Sequence, residues 1–155
     1  MGAMTTIRMA MSGPPGARGV FETAHLILAH DGTQSIDFNT LIPIEGEQTW
    51  KAMYAAWGCR SIGWDYRVVS QSTNTFEFIF EVKGASATAE PILAEIARRY
   101  RHMTGAFGMV TDSEEFSATG LFVDGSLHLQ KHPWTEAMFA LVEGHPYGEY
   151  PGEAA

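Results

Sequence analysis

One stretch of this chain constrains its fold more than any other. From Thr75 to Lys83 the side chains alternate, with Phe76, Phe78, Phe80 and Val82 on one side and Glu77, Ile79, Glu81 and Lys83 on the other. A period of two belongs to a β-strand, and a face carrying three phenylalanines has to be buried. The run before it, Trp64 to Ser70, reads as a second strand. Gln71-Ser72-Thr73-Asn74 between them is turn chemistry, so the two should pair as an antiparallel hairpin.

The remaining elements are assigned around that hairpin. Thr5 to Met11 alternates as well, Ile7, Met9 and Met11 against Thr6, Arg8 and Ala10, which predicts a half-buried strand. Ser12-Gly13-Pro14-Pro15-Gly16 breaks it. Over Arg18 to His30, Val20, Phe21, Ala24, Ile27 and Leu28 share one helical face, with Gly32 after Asp31 as the stop. Ile36 to Pro43 reads as extended or irregular, because the residue before a proline is pushed out of the helical region. Glu47 to Trp57 predicts a short helix with Trp50, Met53, Tyr54 and Trp57 in one stripe, ended by Gly58. Thr88 can cap a helix with Glu90 and Pro91 in its first turn, Ile92, Leu93, Ile96 and Tyr100 on its buried side and arginines at its end. Gly105 to Thr111 and Ser117 to Val123 are two more strands, and Asp124-Gly125 turns the second into Ser126 to Lys131. Pro133 can open a last helix whose apolar side is Trp134, Met138, Leu141 and Val142.

That order predicts an α+β protein. Setting aside an inserted loop and helix, and an extra hairpin strand, it is βαββαβ, the ferredoxin-like arrangement, with helices on one face of an antiparallel sheet. The expected division is a ferredoxin-like domain over residues 5–132, then a C-terminal helix and flexible tail over 133–155. Met1-Gly2-Ala3-Met4 reads as an expression remnant ahead of the native start.

With 155 residues the chain can bury a full core, and its hydrophobic fraction of 45% against 18% charged is that of a folded protein. No apolar run approaches the roughly 20 residues that cross a bilayer, so no membrane role is expected. A single cysteine, Cys59, precludes an internal disulfide or a cysteine-built zinc site and fits a reducing cytoplasm. A formal net charge of −8 opposes nonspecific nucleic-acid binding, which needs cations against phosphates.

Phe38-Asn39-Thr40-Leu41-Ile42-Pro43, Trp57-Gly58-Cys59, Trp64-Asp65-Tyr66, Phe76-Glu77-Phe78 and Gly120-Leu121-Phe122-Val123-Asp124-Gly125 follow one another along most of the chain. In that order they resemble the YubB-type proteins of plasmids and phages, with Arg60-Ser61-Ile62-Gly63 separating the two tryptophan motifs. The resemblance implies a ferredoxin-like domain, a bacterial host cytoplasm and an accessory role on a mobile element, with modulation of host defence as one such role. It implies no catalytic residues.

Several residues invite sharper chemistry. Gly13, Gly16 and Gly19 suggest a phosphate loop, but Pro14 and Pro15 remove the N–H donors such a loop needs. His128 and His132 suggest a metal pair, yet four residues along a strand span about 13 Å, too far for one ion. His25 and His30 fall on different helical faces. Cys59 beside Arg60 could be an activated thiolate, although a lone cysteine is more commonly a small buried hydrophobe. Asp112, Glu114 and Glu115 form an acidic loop, most simply solvated charge. Neither cofactor nor metal is expected.

The binding residues expected are Trp57, Trp64, Asp65, Tyr66 and Arg67 at the helix-to-strand junction, with Glu77 and Glu81 on the open side of the sheet. Three functions compete. The first is a noncatalytic module binding a protein partner through that open face or its edge, with a homodimer as a further possibility. The second is nucleic-acid binding through Arg67, Arg98, Arg99 and Arg101, which acidic residues on the open face oppose. The third is a small enzyme with a pocket near Trp57 to Tyr66.

Overall fold

The structure, a computed structural model, describes residues 3–149; Met1, Gly2 and 150–155 lie outside that range, so the expectation of a fraying tail is addressed only as far as Glu149. Among the described residues there are eight strands in one antiparallel sheet and four α-helices. In chain order they are β1 (Met4–Ser12), α1 (Ala17–His25), β2 (Leu26–Leu28), β3 (Gln34–Ile36), α2 (Trp50–Trp57), β4 (Gly63–Gln71), β5 (Thr75–Lys83), α3 (Glu90–Arg99), β6 (Thr104–Thr111), β7 (Ser117–Val123), β8 (Ser126–His132) and α4 (Glu136–Glu143), with a 3-10 turn at Phe38–Thr40. The sheet order is β2-β3-β4-β5-β1-β6-β7-β8. β1 is central, antiparallel to β5 on one side and β6 on the other.

The expected hairpin is present as β4 and β5, and the phenylalanine face of β5 is sealed as the alternation requires. Phe78, Phe80 and Val82 are fully buried, and the Phe76, Phe78 and Phe80 rings follow one another at 5.6 and 6.1 Å between centroids. Phe21 of α1 lies on Phe76 and Phe78, Trp57 ends α2 against Phe38, and Ile92, Leu93 and Ile96 of α3 complete the cover. Each such side chain removed from water contributes about 1.5–3 kcal/mol, so this face carries most of the apolar stabilisation. The indole N–H of Trp57 is buried too, and donates to the Ile42 carbonyl at 2.7 Å.

Several local expectations change. The helix expected over Arg18 to His30 ends at His25, and Leu26 turns extended to begin β2. Phe21 and His25, one turn apart, are its buried pair, whereas Val20, Ile27 and Leu28 are 62%, 44% and 71% exposed. The reason is a competing partner: Leu26 to Leu28 pairs with Gln34 to Ile36, and the Asp37 N–H takes the His25 carbonyl. Gly32 therefore sits in a hairpin turn, where the Asp31 carboxylate accepts from the Thr33 N–H and hydroxyl. α2 starts later than expected, at Trp50, with Thr49 accepting from the Ala52 N–H; Trp50 is exposed while Trp57 is buried. In α3 the capping position is Ala89, with φ 55°, and Thr88 accepts from the Glu90 N–H from one residue further out. Thr135, not Pro133, caps α4 through the Met138 N–H. Met4, set aside as a remnant, is part of β1, where its N–H donates to Asp112 and its carbonyl accepts from the Asp112 N–H.

The larger correction concerns α4. The expectation of helices on one face holds for α1, α2 and α3, but α4 lies on the reverse face, over β6 and β1. Val142 and Phe139 are buried there against Val110, and Val142 approaches Gly108. Two polar residues of β1 hold the helix end: the Thr6 hydroxyl donates to Glu143 at 3.0 Å, and Arg8 Nε donates to the Val142 carbonyl at 2.8 Å. Leu141, expected on the apolar side, is 65% exposed. After the helix, Tyr147 packs its ring on Trp134 and Phe139 at 5.0 and 5.1 Å, so this part of the expected flexible tail is folded back.

Candidate functional site

Register sorts the reverse face into rows, because residues directly opposite one another point to the same side. One row runs Trp64, Glu81, Thr6, Val110, Ser117; the next Arg67, Ile79, Arg8, Gly108, Thr119, Gln130; a third Ser70, Glu77, Ala10, Ala106, Leu121, His128. α4 covers the middle of the first two rows, over Thr6, Val110, Arg8 and Gly108, while Ala106 in the third row is exposed. The β4–β5 flank lies outside that cover.

Five of the seven expected binding residues lie on this reverse side, four of them together around Trp64 and Glu81. Trp64 stands opposite Glu81 and is 36% exposed. The strand then bulges, Asp65 taking φ 55°, so that Arg67 rejoins the same face opposite Ile79. Arg67 closes the bulge by donating to the Asp65 carboxylate at 2.7 Å. Glu77 is an ion-pair partner of Arg8 and so is not an open charge. The remaining two do not belong to a surface. Trp57 is fully buried, and Tyr66 is 5% exposed on the helix side, its hydroxyl donating to Glu22 at 2.9 Å. In a regular strand Trp64 and Tyr66, two residues apart, would share a face. The extra residue of the bulge reverses that parity, and Tyr66 turns inward to meet Phe21 and Phe78.

Glu81 is the electrostatically distinctive member. Burial raises its carboxyl above the ordinary value of 4.5, and the charges of Asp65, Glu143 and Asp112 push in the same direction, with Arg67 opposing. It lines a recess of about 290 Å³ beside Asp112, Trp134, Phe139, Glu143 and Tyr147. On its other side, Trp64 and Asp65 line a second recess of about 510 Å³ that reaches β2 and β3. Trp64 and Glu81 therefore form a ridge between two hollows, one aromatic and one carboxylate side chain presented together.

Trp134, Phe139, Glu143, Thr6 and Arg8 shape this site, and nothing in the sequence pattern singles them out as functional. The one signal for them is the short side chain of Thr6 and the bare Gly108 on the polar side of the central strands, which leave room for a covering element.

The other candidates are accounted for locally. Gly13 and Asn74 exchange backbone and side-chain hydrogen bonds, and Gly16 takes φ 86° in an ordinary turn into α1. Cys59 is fully buried, its thiol faces the Ser61 carbonyl, and burial pushes it up to about 12, which leaves no thiolate at neutral pH. His128 and His132 stand two rows apart on β8, and His132 is engaged with the Thr119 hydroxyl. Asp112 and Glu115 brace the β6–β7 loop, Glu115 accepting from Ser86 at 2.6 Å. Among the described residues no three His, Cys, Asp or Glu side chains are grouped to hold a metal ion. Arg98 pairs with Glu95, and Arg99 donates to the Thr40 and Leu41 carbonyls, on the opposite side of the sheet from Arg67. Arg67 thus shares no face with the arginines of α3.

No helix among the described residues is long and apolar enough to cross a membrane. The chain matches no protein-family model, no curated protein and no solved structure.

Proposed function

We propose that this protein is a noncatalytic binding module that docks another protein on the Trp64–Glu81 ridge of the reverse face. The observation that carries this reading is the pairing of an exposed tryptophan with a partly buried glutamate surrounded by further carboxylates. Such a pair fits a partner that offers a basic side chain to Glu81 and an apolar or cationic surface to the indole. Tryptophans in this setting are the usual energetic centres of interfaces. The acidic balance of the chain, −8, favours a basic partner by long-range attraction.

The proposal extends to architecture and origin. β1-α1-β4-β5-α3-β6, with spatial order β4-β5-β1-β6, is read as a ferredoxin-like βαββαβ core enlarged by the β2–β3 insertion on one side and β7–β8 on the other. The resemblance of the motifs between Phe38 and Gly125 to YubB-type proteins supports a plasmid or phage accessory protein acting on a host protein in a bacterial cytoplasm, with modulation of host defence as the role.

The test is site-specific photocrosslinking. A crosslinker at Ala29, exposed on the rim of the recess beside Trp64, should capture one discrete host protein, while one at Val20, exposed on α1, should not. Purified partner should then bind the unmodified chain, and Glu81→Lys should abolish that binding with the fold intact. Identical capture from positions 29 and 20, or binding indifferent to Glu81→Lys, would overturn the reading.

A further inference from the structure

β8 is an edge strand with none of the protections edge strands usually carry. It pairs with β7 residue for residue over Ser126–His132 without a bulge, and it contains no proline. Its one lysine, Lys131, holds its ammonium over the Phe116 ring, 4.7 Å from the centroid, rather than out beyond the edge. The opposite edge of the sheet is different: β2 has three residues, and the β3–β4 register beside it is shifted.

The turn decides which groups β8 presents. Asp124 and Gly125 both have positive φ, 54° and 81°, the geometry of a two-residue type I′ hairpin. Val123 and Ser126 then exchange both hydrogen bonds, and the antiparallel alternation makes Leu121–His128, Thr119–Gln130 and Ser117–His132 the other bonded pairs. The N–H and C=O groups of Leu127, Leu129 and Lys131 therefore point away from β7. None of the turn, loop or side-chain hydrogen bonds among the described residues reaches them. A cleft of about 610 Å³ runs along this edge, lined by Glu90, Gly120, Leu127, His128, Leu129 and Gln130.

We propose that β8 pairs antiparallel with β8 of a second copy of this chain, across a twofold axis at Leu129. The strand is self-complementary in one register. Leu129 faces Leu129 of the second copy and Leu127 faces Lys131, so every outward-pointing residue meets an outward-pointing residue. Sliding the pair by two residues in either direction leaves at least one of the three unpaired. In the matched register no lysine faces a lysine, His128 faces Gln130 on the reverse side, and half-buried Leu127 and Leu129 extend the apolar layer beneath α3 across the axis. The three-residue β2 edge is too short to offer a second site of this kind, so the assembly closes as a dimer instead of growing into a filament. This is independent of the Trp64–Glu81 ridge, which lies on β4 and β5 beyond the central strand.

The test is molar-mass measurement of the full chain by light scattering across a dilution series, together with amide hydrogen exchange. A dimer is expected, with the Leu127, Leu129 and Lys131 amides protected when concentrated and released on dilution. Leu129→Lys sets like charges against each other at the axis and should weaken the dimer by about tenfold or more; Leu129→Pro removes an N–H that β7 does not use and should do the same. Far-UV circular dichroism of both variants checks that the monomer is intact. A monomer at every concentration with those three amides unprotected, or a dimer untouched by Leu129→Lys in a folded chain, would overturn the proposal.

Discussion

The Thr6 hydroxyl on the central strand donates to the Glu143 carboxylate on the last helix, 3.0 Å away and 137 residues on in the chain. Beside it, Arg8 holds the Val142 carbonyl and pairs with Glu77. These contacts convert what would be an open polar sheet face into a covered one. Thr6→Val keeps the shape and removes the donor, leaving Glu143 short of a partner. The expected loss is about 1–3 kcal/mol, since the partner is charged and only partly solvated. Urea unfolding measures it, and hydrogen exchange should show α4 opening before the sheet. Equal stability of variant and parent would mean that apolar contacts of Phe139 and Val142 alone hold the helix.

Glu81 presents the opposite situation, a charge the fold tolerates at a cost. Burial foremost, then Asp65, Glu143 and Asp112, raise its carboxyl above 4.5. A raised carboxyl means the folded chain holds the proton more tightly than the unfolded one. The ionised form therefore costs stability above the raised value, and the cost fades as pH falls through it. Glu81→Gln should raise the melting temperature at pH 7, with the gain shrinking to nothing below the ordinary carboxylate value. A variant that melts lower at pH 7 would show that Arg67 outweighs the three carboxylates.

The contrast between these two residues shows what a sequence can disclose. Both are visible as polar positions on alternating strands, and the face each occupies follows from period two alone. The β4–β5 hairpin, β1 and the β6–β7–β8 run are legible for the same reason, reinforced by local turn chemistry, and α3 is legible from its helical spacing of Ile92, Leu93 and Ile96. What covers a face is a different kind of information. The apolar pattern of α4 states that the helix is buried on one side without naming the surface it meets, and Pro133 and Leu141 point to the wrong start and the wrong side. Residues 26–36 mislead because Ile27 and Leu28 happen to continue a helical spacing from Phe21, while their actual partner, Ile36 and its neighbours, lies across a turn. In the candidate site, Trp64, Asp65, Arg67 and Glu81 do come together on one side. Trp57 and Tyr66 resemble them in composition and are core, Tyr66 because a single inserted residue changes the face it occupies.

His25 gives a prediction in pH. It is 1% exposed, with Nδ1 at 2.7 Å from the Thr40 hydroxyl oxygen and Nε2 at 2.6 Å from the Tyr100 hydroxyl. Thr40 already commits its only hydroxyl proton to the Asp37 carbonyl, so it must accept from the ring. That fixes a neutral imidazole protonated on Nδ1, with Nε2 accepting from Tyr100. Burial, and secondarily the Arg99 charge, lowers the ring from 6.5 to about 4. Between those values the unfolded chain takes up a proton that the folded chain refuses. Stability is thus intact above about pH 6.5 and declines as pH falls toward 4, by on the order of 3 kcal/mol over the window. His25→Gln should flatten this part of the stability profile relative to the parent. Nitrogen chemical shifts should report the Nδ1–H form at neutral pH, and an Nε2–H form would refute the network.

Two glycines should respond to alanine with opposite signs. Gly120 stands opposite Phe107 in the β6–β7 register, and a Cβ there would run into that ring and lie 2.5 Å from the His128 carbonyl oxygen on the neighbouring strand. The ring can turn only into a packed core and the carbonyl belongs to the ladder, so neither yields cheaply. Gly120→Ala should cost about 1–3 kcal/mol by overpacking. Gly19 lies within α1, exposed, with nothing within 4 Å of the place a methyl group would occupy. Alanine there lowers the entropy of the unfolded chain and suits a helix, so Gly19→Ala should stabilise by up to about 1 kcal/mol. Chemical denaturation of the two variants side by side measures both shifts. Loss of stability in Gly19→Ala would mean that the first turn of α1 is not helical in solution, and an unchanged midpoint for Gly120→Ala would mean that β7 can move away from β8 at little cost.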